Sequence, residues 1–450
     1  MLRSILVASL VVVSAPSCAS DEASQSSDVV DGRDEHRVRA AGYLIRAGED
    51  VPYCTATLVA VDAVVTAAHC VDQMYGSPVE FGIGDVAANV RRPIVGALSH
   101  PVWDPEHSAA GSGPRAWLHD VAVMRLSEPA PGIVPLELGV ATAPSCSARG
   151  LGYGRTTEGG ASETEGYTGA RKSTAMCVDD VATGMVFAHG VDGGLCWGDS
   201  GGPLLVGWPG KLAGVLHGFA GDGEPRCEKG NPIAYTSLDA ERDFLSCALS
   251  REVGAAPPTP FDDVSCHFVE PFLPPLVSQK LVVPFPDGGF HPQANVTRRE
   301  FARLVVAALE PSPKFPAKDF PDLIAGSTDS AALELAYRAG FLSPTEDGKL
   351  LPAATLARLD LIRGLVRGLM LAKVAGGALD TFVDAGELST SEQADVATAL
   401  SCGLIVGYPD ARYLRPSQPT TRAELAVTLT QALVLRGDVA PIASSVVVKP

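Results

Sequence analysis

Three residues carry the chemistry that the chain advertises: His69 in VVTAAHC, Asp120 in HDVAVMRL and Ser200 in GDSGGP. A serine hydroxyl is a poor nucleophile until a base takes its proton, and an imidazole is suited to that task near neutral pH. The imidazole in turn needs a buried carboxylate to hold its tautomer and to stabilise the imidazolium. The glycines around Ser200, in GGLCWGDSGGP at 193–203, let backbone N–H groups approach a developing oxyanion. Taken singly, His69 beside a cysteine and Asp120 ahead of a strand have plain structural readings. In the order His, Asp, Ser they point to nucleophilic acyl transfer.

The elements that must position them are β-rich. From about residue 29 to 248 the chain runs in short stretches such as YLIRA, CTATLVAV, AVVTAAH, VAVMRL and LAGVLHG, separated by Gly, Pro and Ser turns. That grammar predicts an all-β sandwich or barrel, closed by a helix over LDAERDFLSCAL. GAAPPTP at 254–260 reads as a linker, and beyond it the pattern is helical and repeats. Pro292, Pro352 and Pro416 are each followed, five residues on, by TRREF, ARLDL and TRAEL, each opening an apolar helix. FDD, FPD and FVD precede them at 261, 320 and 382, a period of about 60 residues. Repeats of this kind stack to bury what one unit cannot.

Composition narrows the function. At 450 residues two cores are expected. With 35 basic against 52 acidic residues the net charge is −17, which argues against nucleic acid or an anionic surface as the main partner. Met1, Leu2 and Arg3, the apolar run from Ile5 to Val13 and small residues through Ala19 make a secretory signal over 1–19. Cys18 sits as at a bacterial lipoprotein cleavage site, without the usual Leu three residues before it. No later run of 18 apolar residues predicts a membrane span, and no metal-ligand cluster, phosphate loop or cofactor signature is found. Of ten cysteines in an exported chain, seven lie between Cys54 and Cys247, so disulfides belong mainly to the N-terminal half.

Over roughly 29–250 the three motifs resemble the trypsin/chymotrypsin family of secreted serine endopeptidases. The resemblance implies a double six-stranded β-barrel with the site between barrels, His69 as general base then acid, Asp120 as its orienter and Ser200 as nucleophile. The N–H groups of Gly198 and Ser200 become the oxyanion donors. It implies Cys54–Cys70 as the histidine-loop disulfide and Cys196–Cys227 as the bridge beside the specificity pocket. The usual partners of Cys146 and Cys177 are missing, so these two are expected to pair, leaving Cys247, Cys266 and Cys402 as an odd set with at least one free thiol. VVDG at 29–32 stands where the family has its mature terminus, so 20–28 becomes a short propeptide and the freed Val29 ammonium would pair with Asp199. Asp28, ahead of it, departs from the family's Lys or Arg, so a trypsin-like activator is not expected.

The family's pocket base falls on Gly194, where enzymes that cut after Arg or Lys carry Asp. A cation without a counter-charge would be too costly there, although Asp192 is near in sequence. Leu195, Ile233 and Phe219 replace smaller residues around the pocket, with His217 and Gly218 beside them, which predicts a preference for small or medium apolar P1 residues. His217 stands where the family has a Ser that bonds the triad carboxylate. Two readings stay open: it donates to Asp120, or it is a rim residue.

The repeats, at 261–311, 315–375 and 380–436 after a linker at 251–260, resemble S-layer homology modules, which hold exported bacterial proteins to cell-envelope glycans. The shared features are the leading FDD, FPD and FVD, the DGGF or YPDARY turn and the Thr-Arg-x-Glu signature; the middle repeat departs with ARLD. Arg298, Arg358 and Arg422 are the candidate glycan contacts, since a guanidinium can fork onto an anion; the other reading is that each pairs with its neighbouring acid to cap the helix, making the repeat structural. The combined expectation is a surface-attached serine endopeptidase acting on protein or peptide substrates. The alternative is a catalytically silent adhesin on a protease fold.

Overall fold

The computed structural model describes residues 32–449 except 75, 89, 104–117, 158–165, 183, 221–226, 253–257, 325 and 375–378. The signal segment, Cys18, the propeptide and Val29 lie outside the described residues.

A two-residue strand β1 (Arg33–Asp34) leads into β2 (Ala41–Arg46), β3 (Cys54–Ala60), β4 (Ala63–Thr66), β5 (Val79–Ile83), β6 (Val90–Ser99) and β7 (Ala122–Leu126). The last six close a barrel in the order β2-β3-β4-β7-β6-β5. β2 to β4 are buried almost throughout, whereas β6 alternates in exposure as a strand with one wet face does. The second set is β8 (Ser145–Gly152), β9 (Lys172–Ala182), β10 (Met185–Gly190), β11 (Pro203–Val206), β12 (Lys211–Phe219) and β13 (Pro232–Ser237). These run β9-β10-β13-β12-β11-β8, and pairing of β8 with β9 closes the second barrel, with β1 hung on the outer edge of β9. Both expected six-stranded barrels are present. Helix α1 (Ala68–Asp72) carries the histidine, and α2 (Arg242–Ser250) ends the protease half.

The helical half is a closed ring of three repeats. It comprises α3 (Leu273–Ser278), α4 (Arg298–Leu309), α5 (Thr328–Arg338), α6 (Arg358–Gly368), α7 (Thr390–Ser401) and α8 (Arg422–Arg436). At its axis three backbone bonds run head to tail: Val296 N–H to Thr420 O at 2.8 Å, Thr420 N–H to Leu356 O at 2.7 Å and Leu356 N–H to Val296 O at 2.8 Å. The repeat signature now has a physical account. Thr297 with Glu300, and Thr421 with Glu424, form capping boxes that satisfy the first N–H groups of α4 and α8. In the middle repeat, where ARLD replaces the signature, Ala357 makes no side-chain cap. The last Asp of FDD, FPD and FVD accepts two successive backbone N–H groups of its turn: Asp263 from Phe290 and His291, Asp322 from Leu350 and Leu351, Asp384 from Leu414 and Arg415.

The arginines are engaged within the ring. Each guanidinium turns into the next repeat: Arg298 Nε donates to Leu350 O at 2.7 Å, Arg358 Nε to Leu414 O at 2.8 Å and Arg422 Nε to Phe290 O at 2.9 Å, which closes the circle. Each also faces an acid of that next repeat, Asp360, Glu424 and Glu300 in turn. Arg298 and Arg358 are buried, and Arg422 lies over the Phe285 and Phe290 rings. Burial draws Arg358 down to about 10, still charged at neutral pH. The three fasten repeats together, Arg298 and Arg358 through all three guanidinium nitrogens and Arg422 through Nε and its ion pair with Glu300.

Candidate active site

β4 and α1 deliver His69 to the cleft, and the turn before β7 delivers Asp120. The His69 backbone N–H donates to Asp120 Oδ1 at 2.9 Å and its Nδ1 meets Asp120 Oδ2 at 2.7 Å. Two contacts from one residue fix both the position and the tautomer of the ring, leaving Nε2 as the basic nitrogen. Asp120 is fully buried. His217 Nδ1 reaches the same Oδ2 at 2.6 Å, so of the two sequence readings the structure has the hydrogen bond to Asp120. The two imidazole rings stand edge to face with centroids 5.8 Å apart. Burial pushes the Asp120 carboxyl up, but the charge of His69 and the bonds from His217 and His69 outweigh it and hold the group ionised, well below the usual carboxylate range. For His69 burial pulls the imidazole down, while the charge and bond of Asp120 more than reverse this and raise it.

Ser200 sits in a loop strapped between the barrels. Its carbonyl accepts from Thr55 N–H of β3 at 2.8 Å, and Gly201 N–H donates to Leu216 O of β12 at 2.8 Å. Gly198, with φ of +94°, adopts a conformation side chains rarely take, and its carbonyl accepts from Thr55 Oγ1 at 3.1 Å. Asp199 is fully buried and accepts from Cys196 N–H and Gly154 N–H, each at 2.7 Å. Burial pushes its carboxyl up to about 7 against the pull of those two donors.

The pocket residues fall into two groups. Gly194 is pressed against backbone: a Cβ there would lie 1.9 Å from the Cys227 carbonyl oxygen, so only glycine fits. Leu195 and Ile233 are buried in the core of the second barrel, and Phe219 packs on that core from its margin, edge to face with the half-exposed Trp197 at 5.3 Å. At Gly218 an added Cβ would meet open space. Asp192 is engaged by Thr174 Oγ1 at 3.0 Å, Ala175 N–H at 2.7 Å and Arg33 at 3.5 Å.

Cys54–Cys70, Cys146–Cys177 and Cys196–Cys227 are paired. A fourth disulfide that sequence reasoning left unassigned, Cys247–Cys266, joins α2 to the first repeat across the linker, leaving Cys402 as the free thiol among the described residues. The signal for it was slight: two cysteines 19 residues apart on either side of a proline-rich stretch.

Comparison with known proteins sets this geometry in a lineage. The family model described as Trypsin matches residues 32–245. The trypsin of Saccharopolyspora erythraea is 32% identical over 205 residues, 43% of this chain and 85% of that protein. The chain belongs to the trypsin family. Chymotrypsin-like elastase family member 1 of Bos taurus is also 32% identical, over 224 residues that make up 44% of this chain and 79% of that protein. The S-layer homology domain matches residues 260–302 and 381–426, so this trypsin-family chain carries S-layer homology domains behind its protease domain. An amylopullulanase of Thermoanaerobacterium thermosulfurigenes is 26% identical over 183 residues, 40% of this chain and a tenth of that protein's length. Among the described residues no helix is long and apolar enough to cross a membrane.

Proposed function

We propose that the protein is a serine endopeptidase held at the bacterial cell surface by its repeats. His69 takes the Ser200 proton as Ser200 Oγ attacks a peptide carbonyl, Asp120 keeps the ring oriented and stabilises the imidazolium, and the Gly198 and Ser200 N–H groups receive the oxyanion. His69 then gives the proton to the leaving amine, and water resolves the acyl-enzyme by the same route. The observation that carries this reading is the double contact of His69 with the buried Asp120, at 2.9 and 2.7 Å, beside a serine loop tied to both barrels.

Cleavage follows non-basic residues of small or medium apolar character. Gly194 offers no carboxylate, and Asp192 is engaged by Thr174 and Ala175, so neither of these residues offsets a cation buried at the pocket base. Activation proceeds by exposure of the Val29 ammonium, which would hold the Asp199 carboxyl ionised against its burial. The repeats recognise an envelope glycan on the ring that Arg298, Arg358 and Arg422 hold together. Profiling with a peptide library of varied P1 residues, alongside pull-down on purified envelope with and without residues 261–436, tests both halves. Cleavage after Lys or Arg, or equal retention of the truncated chain, would count against the reading.

A further inference from the structure

The repeat domain touches the protease one residue away from the triad carboxylate. His119, directly before Asp120, has φ of +67°, a left-handed backbone uncommon for residues other than glycine. The turn around Asp120 closes with Val121 N–H donating to His119 O at 2.8 Å, so the orientation of His119 sets how Asp120 is presented. Three groups hold the His119 side chain. Glu241 Oε1 meets Nδ1 at 2.9 Å, His100 stacks on one side with centroids 4.4 Å apart, and Tyr408 stacks at 5.5 Å, with its hydroxyl 3.2 Å from Nε2. Phe268 backs the Tyr408 ring at 4.3 Å. Tyr408 and Phe268 belong to the repeats; the other groups belong to the protease.

His100, His119 and Glu241 also bring three ligand atoms within 4.8 Å of one another. Val102 N–H, however, donates to His100 Nδ1 at 3.2 Å, which leaves the His100 proton on Nε2, facing Glu241 Oε2 at 3.3 Å. A metal-bound histidine donates from its second nitrogen rather than accepting there. The cluster is therefore a hydrogen-bonded clamp, and what it clamps is the turn that carries Asp120.

We propose that Tyr408 of the third repeat is a positioning residue for the protease: by holding His119 it fixes the turn that presents Asp120 to His69, so the repeat domain is part of the catalytic apparatus as well as an anchor. The inference rests on the endopeptidase reading for its kinetic consequence but not for its structural one. A displacement of the triad carboxylate by a fraction of an ångström lowers turnover without altering how substrate fills the pocket.

The test uses the full chain with Tyr408→Ala, the milder Tyr408→Leu and the conservative Tyr408→Phe, beside Arg251→Ala, which breaks a different contact across the seam, Arg251 with Glu270. Expected for Tyr408→Ala and Tyr408→Leu is a fall in kcat of about 10- to 100-fold with KM little changed, and recovery of most of it in Tyr408→Phe, which keeps the stack. Arg251→Ala is expected to lower thermal stability alone. A second readout needs no turnover: in a Ser200→Ala background, NMR of labelled histidines follows the titration of His69, which should shift in Tyr408→Leu and not in Arg251→Ala. A shifted titration in a chain whose wild type does not turn over would retain the positioning role and remove the endopeptidase reading. Unchanged kcat and unchanged titration in Tyr408→Leu, or the same losses in Arg251→Ala, would overturn the proposal.

Discussion

His217→Ala isolates the least expected feature of the site. Asp120 accepts three contacts, two from His69 and one from His217 at 2.6 Å, and no part of the residue is exposed. A hydrogen bond to a charged group contributes about 1.5–3 kcal/mol, and the truncated side chain leaves a space into which water can move to recover part of it. Stability should fall by about 1–3 kcal/mol. The kinetic loss is smaller than that whole amount, because only what the bond contributes beyond the ground state slows the reaction. At tenfold per 1.36 kcal/mol this bounds the drop in kcat/KM at about 100-fold, with about 10-fold the central expectation. The pH profile should move as well. Without the His217 bond the Asp120 carboxylate is more basic and holds the His69 proton more tightly, so the acid limb of kcat/KM shifts to higher pH. His217→Ser, which restores a hydroxyl donor, should return part of both effects. Hydrolysis of a chromogenic peptide with an apolar P1 residue, measured across pH with a thermal melt for each variant, decides the matter. Wild-type kcat/KM, pH limb and melting temperature in His217→Ala would refute the idea that this bond contributes to the site.

Three further outcomes follow from buried groups. Arg358→Ala strands Glu424 and the Leu414 and Val406 carbonyls, and should destabilise the repeat ring by about 3–5 kcal/mol in denaturant melts; Arg412→Ala, which removes an exposed guanidinium and leaves Asp410 the backbone N–H of residue 412, should cost less than about 1 kcal/mol. Asp199 has a folded value near 7 against an ordinary 3.8, so in the uncleaved precursor its contribution is fully present below about pH 4 and is lost as pH rises through 7. Urea midpoints of that precursor should fall over this window relative to Asp199→Asn, and parallel curves would contradict the burial argument. Gly194→Asp should yield unfolded or insoluble protein rather than a Lys- or Arg-cutting enzyme, because its Cβ would overlap the Cys227 carbonyl; a folded variant with tryptic activity, assayed on basic P1 peptides, would contradict that geometry.

The parts of the molecule that were legible in the sequence are those written in local pattern. Short apolar runs between turns announced the barrels, and TRREF, ARLDL and TRAEL, each five residues past a proline and opening an apolar run, announced the repeat helices. The partners of the arginines were not legible, because a residue at a helix start looks exposed until the neighbouring repeat is placed over it, and nothing in TRREF says that Leu350 lies across the ring. His217 could be located but not oriented, since its bond to Asp120 spans 97 residues. Cys247–Cys266 and the Tyr408 stack on His119 both cross a domain boundary, where no periodicity records which surfaces meet. Long-range pairings of this kind are set by how the two halves dock, and composition and spacing are silent on docking.

The central claim is that Ser200 is an activated nucleophile. Fluorophosphonate labelling of the processed, N-terminally sequenced protein beside Ser200→Ala tests it directly. The account predicts one label per wild-type chain, placed on Ser200 by peptide mapping and missing from the variant. A correctly folded chain beginning at Val29 that takes no label would contradict it and leave a binding protein on a protease fold.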